Sequence, residues 1–246
     1  MSRRNSGSLV LAGIGYQTAG HVTSEVLTLM RSVDRLFFLV YDPLHERWLR
    51  RVNPRSVSLA KTMKEGRALA DGCHEMALRI LNPVRRGLNV CAVFSGHPTI
   101  AVDPAHEALR LARLDGLRAK MLPAVSGMDC LFADLGVDPA GGCQFFDAEA
   151  LLEKRFRLDP QSCLVLFQAG VIGVRRHRLR QEPSRAALLS LTKRLLKYYD
   201  SQREVVIYEA AMLPVGRSRI ERIPLAALPK AKLSPISTLY IPPDGA

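Results

Sequence analysis

The sequence predicts an α/β protein in two halves, and three observations carry that prediction. Short apolar runs at residues 8–14, 35–40 and 88–94 alternate with segments whose apolar residues recur at helical spacing. Turn-rich clusters punctuate the chain at residues 13–20, 95–98 and 123–127. The length, 246 residues, suits two domains of moderate size. We place the boundary at the turn-rich joint, giving an N-terminal α/β domain at 1–123 and a C-terminal α/β domain at 124–246.

In the first half, 8–14 reads as an apolar strand. Residues 23–31 have helical spacing through Val26, Leu27, Leu29 and Met30. A second strand at 35–40 precedes a helix-like stretch at 45–51 and a brief strand at 56–59. Residues 65–81 are helical until Pro83 interrupts them. A strong strand at 88–94, a helix at 104–114 and a strand at 117–122 complete the half. Strands that alternate with helices imply a mainly parallel sheet with ligands at the carboxyl ends of its strands. The second half reads as a helix at 128–134, a loop at 136–142, a short strand and a helix at 148–155. A buried strand at 163–167, a basic amphipathic helix at 185–199 and strands at 203–208, 220–223 and 238–241 follow.

Composition excludes several classes. Apolar residues make up 48%, enough for a core, and no run reaches the length of a membrane helix. The basic start, Arg3-Arg4, is not followed by a secretory cleavage pattern. Five cysteines, Cys73, Cys91, Cys130, Cys143 and Cys163, form no CxxC pair and read as reduced thiols of a cytoplasmic protein. Thirty-five basic against 23 acidic residues give +12, a balance that draws anionic partners. The one dense knot, Arg175-Arg176-His177-Arg178-Leu-Arg180, has no interleaved aromatics, so a nucleic-acid platform is not expected.

The chemistry-bearing segments lie at strand ends. The first strand runs into Gly13-Ile-Gly15-Tyr-Gln-Thr-Ala-Gly20, with Asp42 after the second strand. The third glycine sits at the wrong spacing for a dinucleotide fingerprint, which leaves a tight turn or a nucleotide loop as readings. Phe94-Ser-Gly-His-Pro98 closes the strongest strand, where Gly96 would let a ligand lie against the backbone. Pro123–Gly127, Leu166-Phe-Gln-Ala-Gly170, Glu209-Ala-Ala-Met212 and Ile236-Ser-Thr238 repeat the design. Five strand ends rich in small and amide residues suit a nucleoside held largely through the backbone. No metal-ligand constellation, GxSxG or HExxH is present.

Taken in order, GxG, GHP, LPxVS, LFQxG, EAAxLP and PISTLYIPP resemble the tetrapyrrole-methylase class of S-adenosylmethionine-dependent methyltransferases. Within that class the sequence is similar to the borosin peptide-backbone α-N-methyltransferases, especially the stand-alone bacterial kind. The resemblance spans nearly the whole chain and is weakest at 56–82 and 174–184. It implies two α/β domains with the cofactor in the cleft between them, a homodimer, and a precursor peptide supplied in trans, since the chain closes at Pro242-Pro243-Asp-Gly-Ala. By the same resemblance S-adenosylmethionine, spent as S-adenosylhomocysteine, would meet Ser95, His97, Ile100, Ala101, Ser126, Gly127, Gln168, Tyr208, Ser237 and Thr238.

An amide nitrogen is a poor nucleophile, because resonance delocalises its lone pair. The enzyme must position it and stabilise charge on the amide oxygen. In borosin enzymes the resemblance implies tyrosines and an arginine for this task, on the helix after the third strand, and a tyrosine directly before GHP. Here Ser95 stands before Gly96, Cys73 takes one tyrosine position, and Leu69 or Ala70 takes that of the arginine. Arg67, Asp71, Cys73 and His74 are the candidate catalytic substitutes, with a solvated helix face as the other reading. Three functions stay open: backbone N-methylation of a separate peptide, methylation of a small-molecule or tetrapyrrole acceptor, and cofactor binding without catalysis.

Overall fold

The computed structural model describes residues 7–178 and 181–245, so the start of the chain and Arg180 of the basic knot lie outside the described residues. The chain forms two compact units, one of Met1–Gly127 with Met212–Gly216, the other of Met128–Ala211 with Arg217–Ala246.

In the first unit, β1 (Ser8–Gly13), α1 (Ser24–Ser32), β2 (Arg35–Leu39), α2 (Pro43–Val52) and β3 (Val57–Ser58) are followed by α3 (Leu69–Arg85), β4 (Asn89–Phe94), α4 (Asp103–Leu114) and β5 (Arg118–Leu122). The five strands are all parallel, in the order β3-β2-β4-β1-β5. Alternation explains the layering. Leu9 and Leu11 of β1 join Val90, Ala92 and Phe94 of β4 in a core with α3 and α4, while Ala12, Cys91 and Val93 face Val26, Met30 and Leu49 of α1 and α2. Helices on both faces explain why β1 and β4 are apolar along nearly their whole length. The connections from β1 and β4 run in opposite directions across the sheet, so the loops leaving them diverge where open α/β sheets bind ligands.

Local chemistry sets the ends of these helices. Thr23 Oγ1 accepts from the Val26 N–H to cap α1, and Asp42 caps α2 with Pro43 in its first turn. Helix α3 differs from the sequence expectation at both ends. It starts at Leu69, because Gly66 holds a left-handed turn at φ +77°, and it runs through Pro83 to Arg85. Proline in the last turn costs one hydrogen bond, and the Arg86 N–H bonds to Pro83 O just beyond it.

The second unit has α5 (Gly127–Leu135), β6 (Cys143–Asp147), α6 (Ala148–Glu153), β7 (Cys163–Phe167), α7 (Arg185–Leu195), β8 (Glu204–Glu209), β9 (Arg219–Pro224) and β10 (Thr238–Ile241). Its sheet runs β6-β7-β10-β8-β9, with only β6 and β7 parallel. The long basic helix ends at Leu195 instead of Tyr199, as residues 197–199 turn away to bury Tyr199 against β7 and β8. The five cysteines are free, and no helix among the described residues is long and apolar enough to cross a membrane.

Candidate functional site

The glycines of the first strand end serve contact between loops. A Cβ at Gly13 would lie 2.0 Å from Gly96 O and 2.6 Å from Ala124 Cβ, so only glycine lets β1, the GHP loop and the segment after β5 approach one another. Just beyond, the Gly96 N–H donates to Gly15 O at 2.9 Å and the Gly15 N–H to Gly96 O at 3.3 Å. The turn that follows is held by His21, whose Nδ1 accepts from the Tyr16 N–H at 3.3 Å. Burial holds the His21 pKa below the usual histidine value, which keeps the ring neutral for that task. The turn reading of this segment is the one the geometry favours.

The GHP loop is pre-shaped. Gly96 has φ +72° and Ala101 has φ +55°, a left-handed conformation costly for a residue with a Cβ. His97 Nδ1 accepts from the Thr99 N–H at 3.2 Å, so the neutral ring carries its proton on Nε2. Ser95 Oγ is shut off from solvent with no hydrogen-bond partner. An orphaned hydroxyl at a strand end, beside strained backbone, is what a ligand-binding loop presents. Ser126, 2% exposed, and Gly127, the first residue of α5, follow β5, which pairs with β1 on the side away from β4. Ile100 closes the turn, its N–H bonded to His97 O at 3.2 Å.

In the second unit, Gln168 follows β7 at φ +56°, again left-handed. A Cβ at Gly170 would fall 1.6 Å from Ser234 O, which accounts for that glycine. Tyr208, Ser218 and Ser237 nearby are engaged, whereas Ser234 Oγ is buried without a partner. The Tyr208 hydroxyl donates to Asp134 Oδ2 at 2.7 Å, and Ser218 Oγ donates to the same oxygen at 2.5 Å. Ser237 Oγ, fully buried, donates to Glu209 Oε1 at 2.5 Å, and Thr238 pairs with Tyr208 across β10 and β8. Burial alone would raise the Glu209 carboxyl; Ser237 and Arg219 outweigh it and hold the group below the usual glutamate range. A groove of about 620 Å³ in this unit is lined by Arg185, Lys230 and Lys232, with Glu182, Leu188 and Leu233 beside them.

The family of tetrapyrrole (corrin/porphyrin) methylases matches residues 8–229. The chain belongs to that family. Among curated proteins, the chain is 34% identical over 242 residues to a methyltransferase/ribosomally synthesized cyclic peptide dendrothelin A precursor from Dendrothele bispora, covering 96% of this chain and 58% of that one. It is 33% identical to the corresponding omphalotin A precursor from Omphalotus olearius, covering 98% and 59%. The chain thus spans just over half the length of these relatives. Its fold is that of uroporphyrin-III-C-methyltransferase from Thermus thermophilus, with TM-score 0.67 at 17% identity, covering 96% of this chain and 92% of that one.

The four candidate catalytic residues gather on and just before α3, and two of them, Arg67 and His74, are engaged. Arg67 forms an ion pair with Glu75 and also donates to Thr62 O. His74 Nδ1 lies 2.9 Å from Glu107 Oε1; Arg110 and His74 hold that carboxyl at about 2. Burial, with Asp103 nearby, pushes the Cys73 thiol up to about 11, so it is no base at neutral pH. Asp71 is exposed. The sequence reading passed over a phenol that lies against the GHP loop. Tyr16, brought from the β1 turn, packs so that a Cβ on Gly96 or on Gly127 would sit 3.2 Å from its hydroxyl oxygen. A tyrosine among small and polar loop residues was its only signal.

Proposed function

We propose that this methylase is an S-adenosylmethionine-dependent methyltransferase that N-methylates backbone amides of a precursor peptide. The observation that carries the reading is the loop 95–101, with its orphaned Ser95 hydroxyl and left-handed Ala101, in a chain similar over nearly its whole length to proteins named as methyltransferases joined to cyclic-peptide precursors. The residues fit the cofactor: an uncharged lining, backbone groups at strand ends and a hydroxyl in need of a partner suit a nucleoside. S-adenosylmethionine, when bound, supplies an electrophilic methyl group. The reading assigns Ser95, His97, Ile100, Ala101, Ser126, Gly127, Gln168, Tyr208, Ser237 and Thr238 to it. His97, protonated on Nε2, offers a donor there. The cationic groove at Arg185, Lys230 and Lys232 suits an acidic stretch of the peptide, in line with the excess of basic residues. A homodimer in the cytoplasm completes the reading.

The test is incubation with S-adenosylmethionine and a peptide encoded beside the gene, followed by mass spectrometry. Successive mass increments of one methyl group on backbone amides are expected. Heat of S-adenosylhomocysteine binding in calorimetry, without any methylated peptide, would point instead to a small-molecule or tetrapyrrole acceptor. The displacement of hydroxyls from α3, where Cys73 stands, favours that second reading.

A further inference from the structure

We infer that the basic groove of the second unit is a docking site for an acidic peptide segment that carries an apolar side chain among its carboxylates. The inference rests on the peptide-methyltransferase reading above and deepens it: the groove selects the substrate and takes no part in methyl transfer.

Charge argues first. Arg185, Lys230 and Lys232 line the groove, and Glu182 is the one acid beside them among the described residues. Within the described residues none of the three cations has an ion-pair or side-chain hydrogen-bond partner. Other arginines of the same unit are paired: Arg219 with Glu209 and Glu221, Arg222 with Glu204, and Arg203 with Asp244. The groove cations stand outside that pairing. An excess of one sign over a recessed surface attracts the opposite sign.

The lining argues second. Leu188 lies one turn beyond Arg185 on the same face of α7, and it is buried in the core of the unit. Leu233, half-buried, packs against the same core. Apolar surface thus lies beneath a cationic rim, which suits a segment that offers both carboxylates and an apolar side chain. The described lining holds no aromatic ring on which a nucleic-acid base could stack, so a peptide fits it better than a single-stranded nucleic acid.

Preformation argues third. One wall is the start of α7, where Ser184 Oγ accepts from the Ala187 N–H and the Ser184 N–H donates to Ile172 O at 2.8 Å. A Cβ at Gly173 would lie 2.6 Å from Ser184 Cβ, so the chain after β7 is seated directly against this wall. The other wall follows a short 3-10 helix, Leu225–Lys230, whose Leu225 and Leu228 are buried in the same core as Leu188. Beyond it the Arg219 guanidinium, held by Glu209 and Glu221, donates to Lys232 O at 2.7 Å. Walls fixed before a partner arrives spare it the cost of ordering them.

The kinetic consequence is specific. A cationic rim holds the carboxylates of the peptide equally well before and during methyl transfer. Such uniform binding lowers KM and leaves kcat alone. The long-range part of the attraction also makes association faster at low salt.

Fluorescence anisotropy with the full chain tests the assignment, using a fluorescein-labelled peptide of repeated Glu-Glu-Leu as the probe. The double reversal Lys230→Glu/Lys232→Glu should weaken binding about tenfold or more. Arg47→Glu/Arg51→Glu makes the same change of charge on exposed residues of α2, in the first unit, and should alter it by no more than about twofold. Equal losses in the two variants would show that net charge alone draws the probe, and would overturn the inference. A Gln-Gln-Leu peptide that binds as tightly as the acidic one would overturn it too, as would an oligouridylate that displaces the probe at lower concentration than unlabelled Glu-Glu-Leu peptide. In turnover with the peptide encoded beside the gene, the Lys230→Glu/Lys232→Glu variant should raise KM about tenfold with kcat within about twofold. A fall in kcat at unchanged KM would move the groove from docking to catalysis and sink the proposal. Absence of any S-adenosylhomocysteine binding heat in the wild-type protein is the distinct result that sinks the methyltransferase reading, whatever the probe does.

Discussion

The hydroxyls at the strand ends of the two units differ in how they are held. In the first, Ser95 Oγ and Thr18 Oγ1 are buried without partners, and glycines make room for an aromatic ring. In the second, Tyr208 and Ser237 have already spent their hydroxyls on Asp134 and Glu209. Sheet type accounts for part of the contrast. A parallel sheet covered by helices on both faces ends all its strands at one edge, so its loops gather polar groups that no neighbouring strand can satisfy. A largely antiparallel sheet returns its chain beside each strand, and facing residues such as Thr238 and Tyr208 satisfy or shield one another. The first unit thus keeps a buried hydroxyl open at Ser95, while the second engages those of Tyr208 and Ser237 and holds Gln168 left-handed.

Substitutions can break that contrast, and the largest effect belongs to Gly13→Ala. Its methyl group would fall 2.0 Å from Gly96 O, backbone that cannot yield without parting the two loops. Overpacking against backbone is expected to cost at least about 3 kcal/mol of stability in urea titration, together with loss of S-adenosylhomocysteine binding. Gly141→Ala, which would meet nothing within 4 Å, is the control and should stay within about 0.5 kcal/mol. Equal stability of the two variants would show that the loops are not packed on one another.

Asp134→Ala comes next. It leaves the Tyr208 hydroxyl buried without an acceptor and frees Ser218, so a loss of about 2 kcal/mol is expected in the same titration. Affinity for S-adenosylhomocysteine should change by no more than about threefold, because Asp134 is not among the residues proposed to hold the cofactor. A large fall in affinity with unchanged stability would move this cluster from the fold to the site.

The sequence made much of this legible, for reasons visible in single residues. The runs through β1, β4 and β7 are apolar because both faces of those strands are covered, and such runs announce themselves. GHP and the VSG turn stood out because strand-end glycines carry a conformational meaning of their own. What stayed hidden depends on approach between distant segments. Gly13 looks like half of a nucleotide motif until Gly96 O is found beneath it. Ala101 and Gln168 give no sign of positive φ, since neither residue type favours it. The engagement of Arg67 and His74 required Glu75 and Glu107, the second on another helix. Tyr16 escaped notice because its surroundings, Gly96 and Gly127, lie far along the chain.

The smallest expected effect separates the units most sharply. Ser95→Ala removes a hydroxyl that has no partner in the fold, so stability should stay within about 0.5 kcal/mol of the wild type or rise, the reverse of Asp134→Ala. A hydrogen bond that forms only with ligand is lost at the same time. Affinity for S-adenosylhomocysteine, measured by calorimetry, should therefore fall about threefold to tenfold, the range of one net neutral hydrogen bond. A loss of stability would mean that Ser95 has a partner within the fold, and unchanged affinity would mean that its hydroxyl never meets the cofactor. Either result would remove the ground for calling the two units different, because the first unit's strand ends would then be as self-contained as the second's.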